Sequence, residues 1–190
     1  MLEPWPDHAV RVDGAGLARF TDRIAARHPL SEMTFLCIGT DRSSGDCLGP
    51  WVGTLLAEAG FERVVGTLEN PCDAEKLPDA IAALPPSGII LAVDACLGRP
   101  ESVGAYLAAA NPLIPGRSVG KPLPPVGAFS VAGIVNAAGP KPYWSLQTTS
   151  VLRVMNMARE IADAIVRSWE PKPKSNEGCV QDAEYQYQRG

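Results

Sequence analysis

Two aspartates stand where this sequence could do hydrolytic chemistry. Asp46 closes a polar loop, Thr40-Asp41-Arg42-Ser43-Ser44-Gly45-Asp46, which leaves the apolar run over residues 34–38. Asp94 follows directly on a second apolar run, Ile89-Ile90-Leu91-Ala92-Val93. Two carboxyl groups brought close can share one proton. One then acts as base on a water, and the other as acid on a carbonyl or leaving group. Like charges at that range push the two apparent pKa values apart, and those values belong to the pair. Such an arrangement suits peptide hydrolysis without a metal. Each aspartate also has a structural alternative, Asp46 as an Asx-turn or helix-entry residue and Asp94 as a cap for whatever follows its strand.

Other chemistries are poorly supplied. The two histidines, His8 and His28, both lie in the first quarter of the chain. A Ser/His/Asp or Cys/His site would have to borrow one of them. A zinc site lacks its histidine cluster and its cysteine spacing. Cys47, beside Asp46, reads as a buried structural thiol. The stretch Gly116-Arg117-Ser118-Val119-Gly120-Lys121 is near a phosphate loop, but has one residue too few between its glycines. Pro122 also stands where a Ser or Thr would meet magnesium. We expect no metal and no cofactor. Arg42, in the Asp46 loop, and Lys121, at the mouth of the site, are the candidates for substrate contact, each with a solvated surface role as its alternative.

The elements that must position these residues alternate between strand and helix. Residues 16–28 read as an amphipathic helix ended by Pro29, with Leu17, Phe20 and Ile24 on one face. Residues 34–38 read as a buried strand, and Pro50 opens a helix that Gly60 stops. A weak strand over 64–67 and a helix over 74–84 follow. Residues 89–93 form the clearest buried strand, with Asp94 at its carboxyl end. Further strands are expected over 104–109 and 129–135, separated by an irregular Pro- and Gly-rich stretch over 111–127. Residues 147–169 give the strongest helix, with Val151, Val154, Met155, Ala158, Ile161, Ala162 and Ile165 in one stripe. This alternation implies an α/β fold, a mostly parallel sheet with helices on both faces. Ligands of such sheets sit outside the carboxyl ends of the strands, where both aspartates fall on this reading. The organisation expected is an N-terminal arm and helix over 1–30, an α/β domain over 31–169 and a flexible tail over 170–190.

The bulk numbers set limits. A 190-residue chain with 46% hydrophobic and 20% charged residues is globular and needs no staples to fold. A net charge of −4 gives no electrostatic reason for binding nucleic acid or an anionic membrane. Five cysteines without a CxxC pair suggest reduced thiols of the cytosol. There is no signal-peptide pattern at the N-terminus and no apolar run of about 18 residues to span a membrane.

Four stretches carry a family resemblance: Phe35-Leu-Cys-Ile-Gly-Thr-Asp-Arg-Ser-Ser-Gly-Asp46-Cys-Leu-Gly-Pro50, Val93-Asp94-Ala-Cys-Leu-Gly98, the block over 115–127, and Gly133-Ile-Val-Asn136 with Leu146-Gln-Thr148. In order and spacing over roughly residues 33–167 they resemble the YyaC-type spore-protease family of sporulation proteins. That family is similar to the germination proteases, which degrade small acid-soluble spore proteins, and more distantly to the hydrogenase maturation proteases. The resemblance implies a three-layer α/β sandwich of the phosphorylase/hydrolase type. It implies catalytic aspartates in Asp46-Cys47-Leu48-Gly49-Pro50 and Asp94-Ala95, a protein or peptide substrate, and the cytoplasm of a sporulating bacterial cell. It also implies a homo-oligomer, since relatives self-associate. The function it implies is an endopeptidase. The alternatives are a non-catalytic sporulation protein binding a partner in the same cleft, or a maturation-type protease. The second half of the chain has no histidine to help mark a metal-bearing substrate.

Overall fold

The run Met33–Cys37 is buried at every position. A strand buried on both faces belongs in the middle of a sheet covered on both sides, and that is where the chain puts it. The computed structural model describes residues 5–6, 8–85, 88–116 and 123–169. Its strands are β1 (Val10–Val12), β2 (Met33–Cys37), β3 (Val64–Val65), β4 (Ile89–Gly98), β5 (Tyr106–Ala109) and β6 (Phe129–Ala137). They form one six-stranded sheet in the order β1-β5-β6-β4-β2-β3. Strands β3, β2, β4 and β6 run parallel, while β5 pairs antiparallel with β6 and with β1.

Period-two alternation sorts side chains to the two faces. Phe35, Cys37, Leu91, Val93, Val131 and Val135 enter the larger core. There they meet α1 (Gly14–Ala25), α2 (Leu48–Glu58) and α5 (Val151–Trp169) through Phe20, Val52 and Ile161. Helix α5 lies between the other two and packs on both. Leu36, Ile38 and Ala92 point the other way, into a smaller core with Cys72, Val126 and Leu77 of α3 (Leu77–Ala82). Helices thus cover both faces, and the expected α/β three-layer sandwich is what the chain adopts.

Several boundaries differ from the sequence reading, each for a local reason. The N-terminal arm expected ahead of the first helix contains β1, a three-residue edge strand too short to show periodicity. Trp5 donates its indole N–H to Ala108 O at 3.0 Å beside it. Helix α1 starts at Gly14 because Asp13 caps it, accepting from Gly16 N–H at 2.8 Å. The long C-terminal helix begins at Val151, and a separate short helix α4 (Pro142–Gln147) precedes it. Strand β4 does not stop before Asp94. It continues to Gly98 because β6 goes on pairing with it, through a register shift between Cys96 and Leu97. Residues 117–121 of the phosphate-loop-like stretch and the tail expected over 170–190 lie outside the described residues.

Candidate active site

The chain leaves β2 toward the β3 edge and leaves β4 toward the opposite edge. Adjacent parallel strands whose connections part in this way open a crevice at their carboxyl ends, the usual ligand position in such sheets. The β2–β4 ladder ends at Cys37↔Val93, and Ile38 N–H donates once more to Val93 O at 2.7 Å. Asp94 is the next residue of β4. On the β6 side it is still in the ladder, opposite Ala132; on the β2 side its neighbour has left. The loop that leaves β2 carries Asp46.

That loop is tightly folded. Thr40 N–H donates to Asp46 O at 3.2 Å, drawing its two ends together. At Gly39, with φ +146°, a Cβ would stand 2.0 Å from Asp46 O, so no side chain fits. At Gly49 a Cβ would stand just as close, 2.0 Å, to Ile38 O, and this bare approach seats the start of α2 on the end of β2. Ser44 ties the loop to the turn between α4 and α5: its Oγ is 2.9 Å from Gln147 O and 2.8 Å from Thr149 O. Gly45 N–H donates to Leu146 O at 2.9 Å. The same turn is held to the sheet by Asn136 at the end of β6, whose amide donates to Ser145 O at 2.9 Å. Three of the four stretches that carry the resemblance therefore meet at the loop bearing Asp46.

Asp46 and Asp94 lie close enough to interact electrostatically. Asp94 is half-buried by surface area, but protein atoms crowd its carboxyl. Loss of solvation, with a smaller push from the Asp46 charge, raises its pKa to about 8. The N–H of Ala95, 2.7 Å from Asp94 Oδ1, pulls it partly back. Burial also raises the Asp46 carboxyl above the usual range, while the Ser43 hydroxyl lowers it. At neutral pH the pair consists of a protonated Asp94 and an Asp46 that gives up its proton first. The two carboxyls thus differ in their hold on a proton, the asymmetry that acid–base work requires.

The other residues named from the sequence fall elsewhere. Arg42 is exposed, and its Nη2 donates to Asp73 Oδ2 at 2.9 Å while its Nε donates to Thr40 Oγ1 at 3.2 Å. Lys121 lies outside the described residues. Cys47 is buried at the start of α2 with its thiol 3.0 Å from Ser44 O, and burial raises its pKa. Cys96, two residues beyond Asp94, is pushed up to about 12 by burial and by Asp94, so neither thiol is primed as a nucleophile. Among the described residues no group of three or more His, Cys, Asp or Glu side chains comes together to hold a metal. Two concavities are lined by neither aspartate. One of about 680 Å³ lies along the outer face of α5 by Arg153 and Glu160, and one of about 220 Å³ lies beyond β3 by Asn70 and Lys76. Sequence reasoning gave no role to Ser43, Ser44, Asn136 and Thr149; Ser43 and Ser44 lie in the motif that holds Asp46, Asn136 lies in a separate one, and Thr149 falls just past the last.

A family model described as "Protein of unknown function (DUF1256)" matches residues 17–164. Over 148 residues the chain is 44% identical to the uncharacterized protein YyaC of Bacillus subtilis (strain 168), covering 75% of this chain and 71% of that one. No solved structure matches.

Proposed function

Since the chain belongs to the DUF1256 family, whose description leaves its activity open, we propose that it is an endopeptidase of the sporulating cell that works through Asp46 and Asp94. The observation that carries this reading is the asymmetry of the pair, with Asp94 held neutral up to about 8 beside a more acidic Asp46. The Asp46 carboxylate takes a proton from water as its oxygen attacks the peptide carbonyl carbon. Asp94 gives its proton to the carbonyl oxygen. Asp46 then passes its proton to the leaving nitrogen, and Asp94 recovers one from the tetrahedral intermediate as the C–N bond breaks. Both groups end as they began. Substrate is a protein or peptide in extended form. Arg42 is a candidate contact once released from Asp73, and Lys121 a second.

Sporulation and proteolysis both come from the motif resemblance to the YyaC-type proteins. The test uses small acid-soluble spore proteins as probe, with fragments read by mass spectrometry. Wild type cleaves. Asp46→Asn and Asp94→Asn keep their circular dichroism and lose cleavage by at least about 100-fold, the lower range for removing a positioned acid or base. Equal cleavage by all three proteins would sink the reading.

A second reading, a non-catalytic partner-binding protein, has one observation in its favour. Tyr143 and Trp144 of α4, and Val151 and Leu152 at the start of α5, are all more than half exposed. They flank the turn that clamps the Asp46 loop. Capture of an intact partner that both aspartate variants retain, and that Trp144→Ala with Leu152→Ala loses, selects it.

A further inference from the structure

Ser43 is 5% exposed, and its Oγ is one of two buried side-chain oxygens or nitrogens among the described residues that make no hydrogen bond. An unpaired buried hydroxyl costs roughly 1–3 kcal/mol, so its presence needs a cause. Its position supplies one. Cys47 N–H donates to Ser43 O at 3.0 Å, which closes a single helical turn over 43–47. Side chains three apart on such a turn share a face, so Ser43 and Asp46 stand side by side. The hydroxyl lies near the Asp46 carboxyl but out of hydrogen-bond alignment with it.

The other groups around Asp46 do not favour its charge. Among the described residues these are Asp94 of β4, Cys47 and Asp41 of its own loop, and Arg42, which Asp73 holds away. The turn over 145–149 brings hydroxyls, an amide and carbonyls but no charged side chain. We propose that Ser43 is the positioning residue of the pair: its hydroxyl donates to the Asp46 carboxylate and so makes Asp46, rather than Asp94, the base that takes the proton from water. This rests on the paired-aspartate reading and adds to it the group that sets its polarity. Without a hydroxyl at 43 the proton is shared more evenly, and less of the enzyme carries it on Asp94.

Titration of the side-chain carboxyl carbons by NMR tests this on the full chain without any substrate. The Asp46 signal is assigned by its loss in Asp46→Asn. In Ser43→Ala the proton affinity of Asp46 rises about 3–10-fold, the effect of removing one hydrogen bond to a carboxylate. Ser43→Thr, which keeps the hydroxyl, returns it toward wild type. Ser43→Gly, which removes the hydroxyl with no demand for space, repeats the alanine result. An Asp46 titration unchanged in Ser43→Ala or Ser43→Gly overturns the proposal, as does an equal rise in Ser43→Thr. The titration and the cleavage assay fail separately. A Ser43-dependent Asp46 in a protein that cuts nothing removes the protease reading and leaves this relationship standing.

Discussion

Cys37 of β2 pairs with Val93 of β4, and theirs is the last rung the two strands share. One residue further, β4 is a paired strand on one side and the wall of a crevice on the other. A rigid strand therefore carries Asp94, while a strapped loop brings Asp46 to it. A site of this form has consequences for stability as well as chemistry.

Asp94→Asn stabilises the protein at alkaline pH. Folded Asp94 keeps its proton up to about 8, whereas the unfolded chain releases it near the ordinary aspartate value of about 3.9. Between these values the folded state binds more protons, so stability falls as pH rises. The contribution is fully present below about pH 4 and is lost as pH climbs through about 8. Asp46, also raised, acts in the same direction. Chemical denaturation at pH 5.5 and 8.5 is expected to show wild type weakening relative to Asp94→Asn by about 1–3 kcal/mol, a range discounted for the solvent that reaches a half-buried group.

Cleavage, once a substrate is in hand, follows a bell-shaped pH profile. The rate falls as pH rises through about 8, where Asp94 loses the proton it must donate. It falls again in acid, at a value above the usual carboxylate range, where Asp46 becomes protonated. A rate constant flat across pH 6–9 would exclude Asp94 as the acid.

Ser44→Ala loosens the loop without emptying the core. It removes the hydroxyl that meets Gln147 O and Thr149 O, at a cost of about 1 kcal/mol for a hydrogen bond of this kind. Amide hydrogen exchange is expected to speed up at Gly45, whose N–H bonds Leu146 O across the same junction. Exchange in the middle of α5 is expected to stay as it was.

Gly39→Ala destabilises by about 2–4 kcal/mol, the range for strain at a special backbone position. Its Cβ would meet Asp46 O at 2.0 Å. The expansion moves Asp46 itself, so the Asp46 carboxyl signal shifts along with the thermal midpoint. A substitution with neither effect would show that the loop closes less tightly than this contact requires.

The sequence showed the central framework through physics that is local. Buried runs such as Met33–Cys37 and the apolar stripe of α5 announce their element and their face. What it hid depends on partners distant in the chain. Strand β4 passes Asp94 only because β6 pairs with it as far as Gly98, and nothing in Asp94-Ala95-Cys96 signals that. Antiparallel β5 and β1 follow from a reversal that short strands do not advertise. Val151, placed on the stripe of the last helix, is 51% exposed because the helix begins there, after the break over 148–150. At the site, residue type flagged the two carboxylates. Ser43, Ser44 and Asn136 needed the fold, since small polar residues in loops are common and only their partners give them roles.

The Asp46 loop is fastened by a turn about a hundred residues later in the chain. On the ribosome, both aspartates emerge well before that fastening exists. An emerging chain that has passed Asp94 but not Thr149 carries Asp46 on a loop not yet tied to that turn. The loop is thus fully fastened only when the last helices are made, and a polypeptide cut short before them keeps the internal closure at Thr40 but lacks the bonds from Ser44 and Gly45 to the later turn.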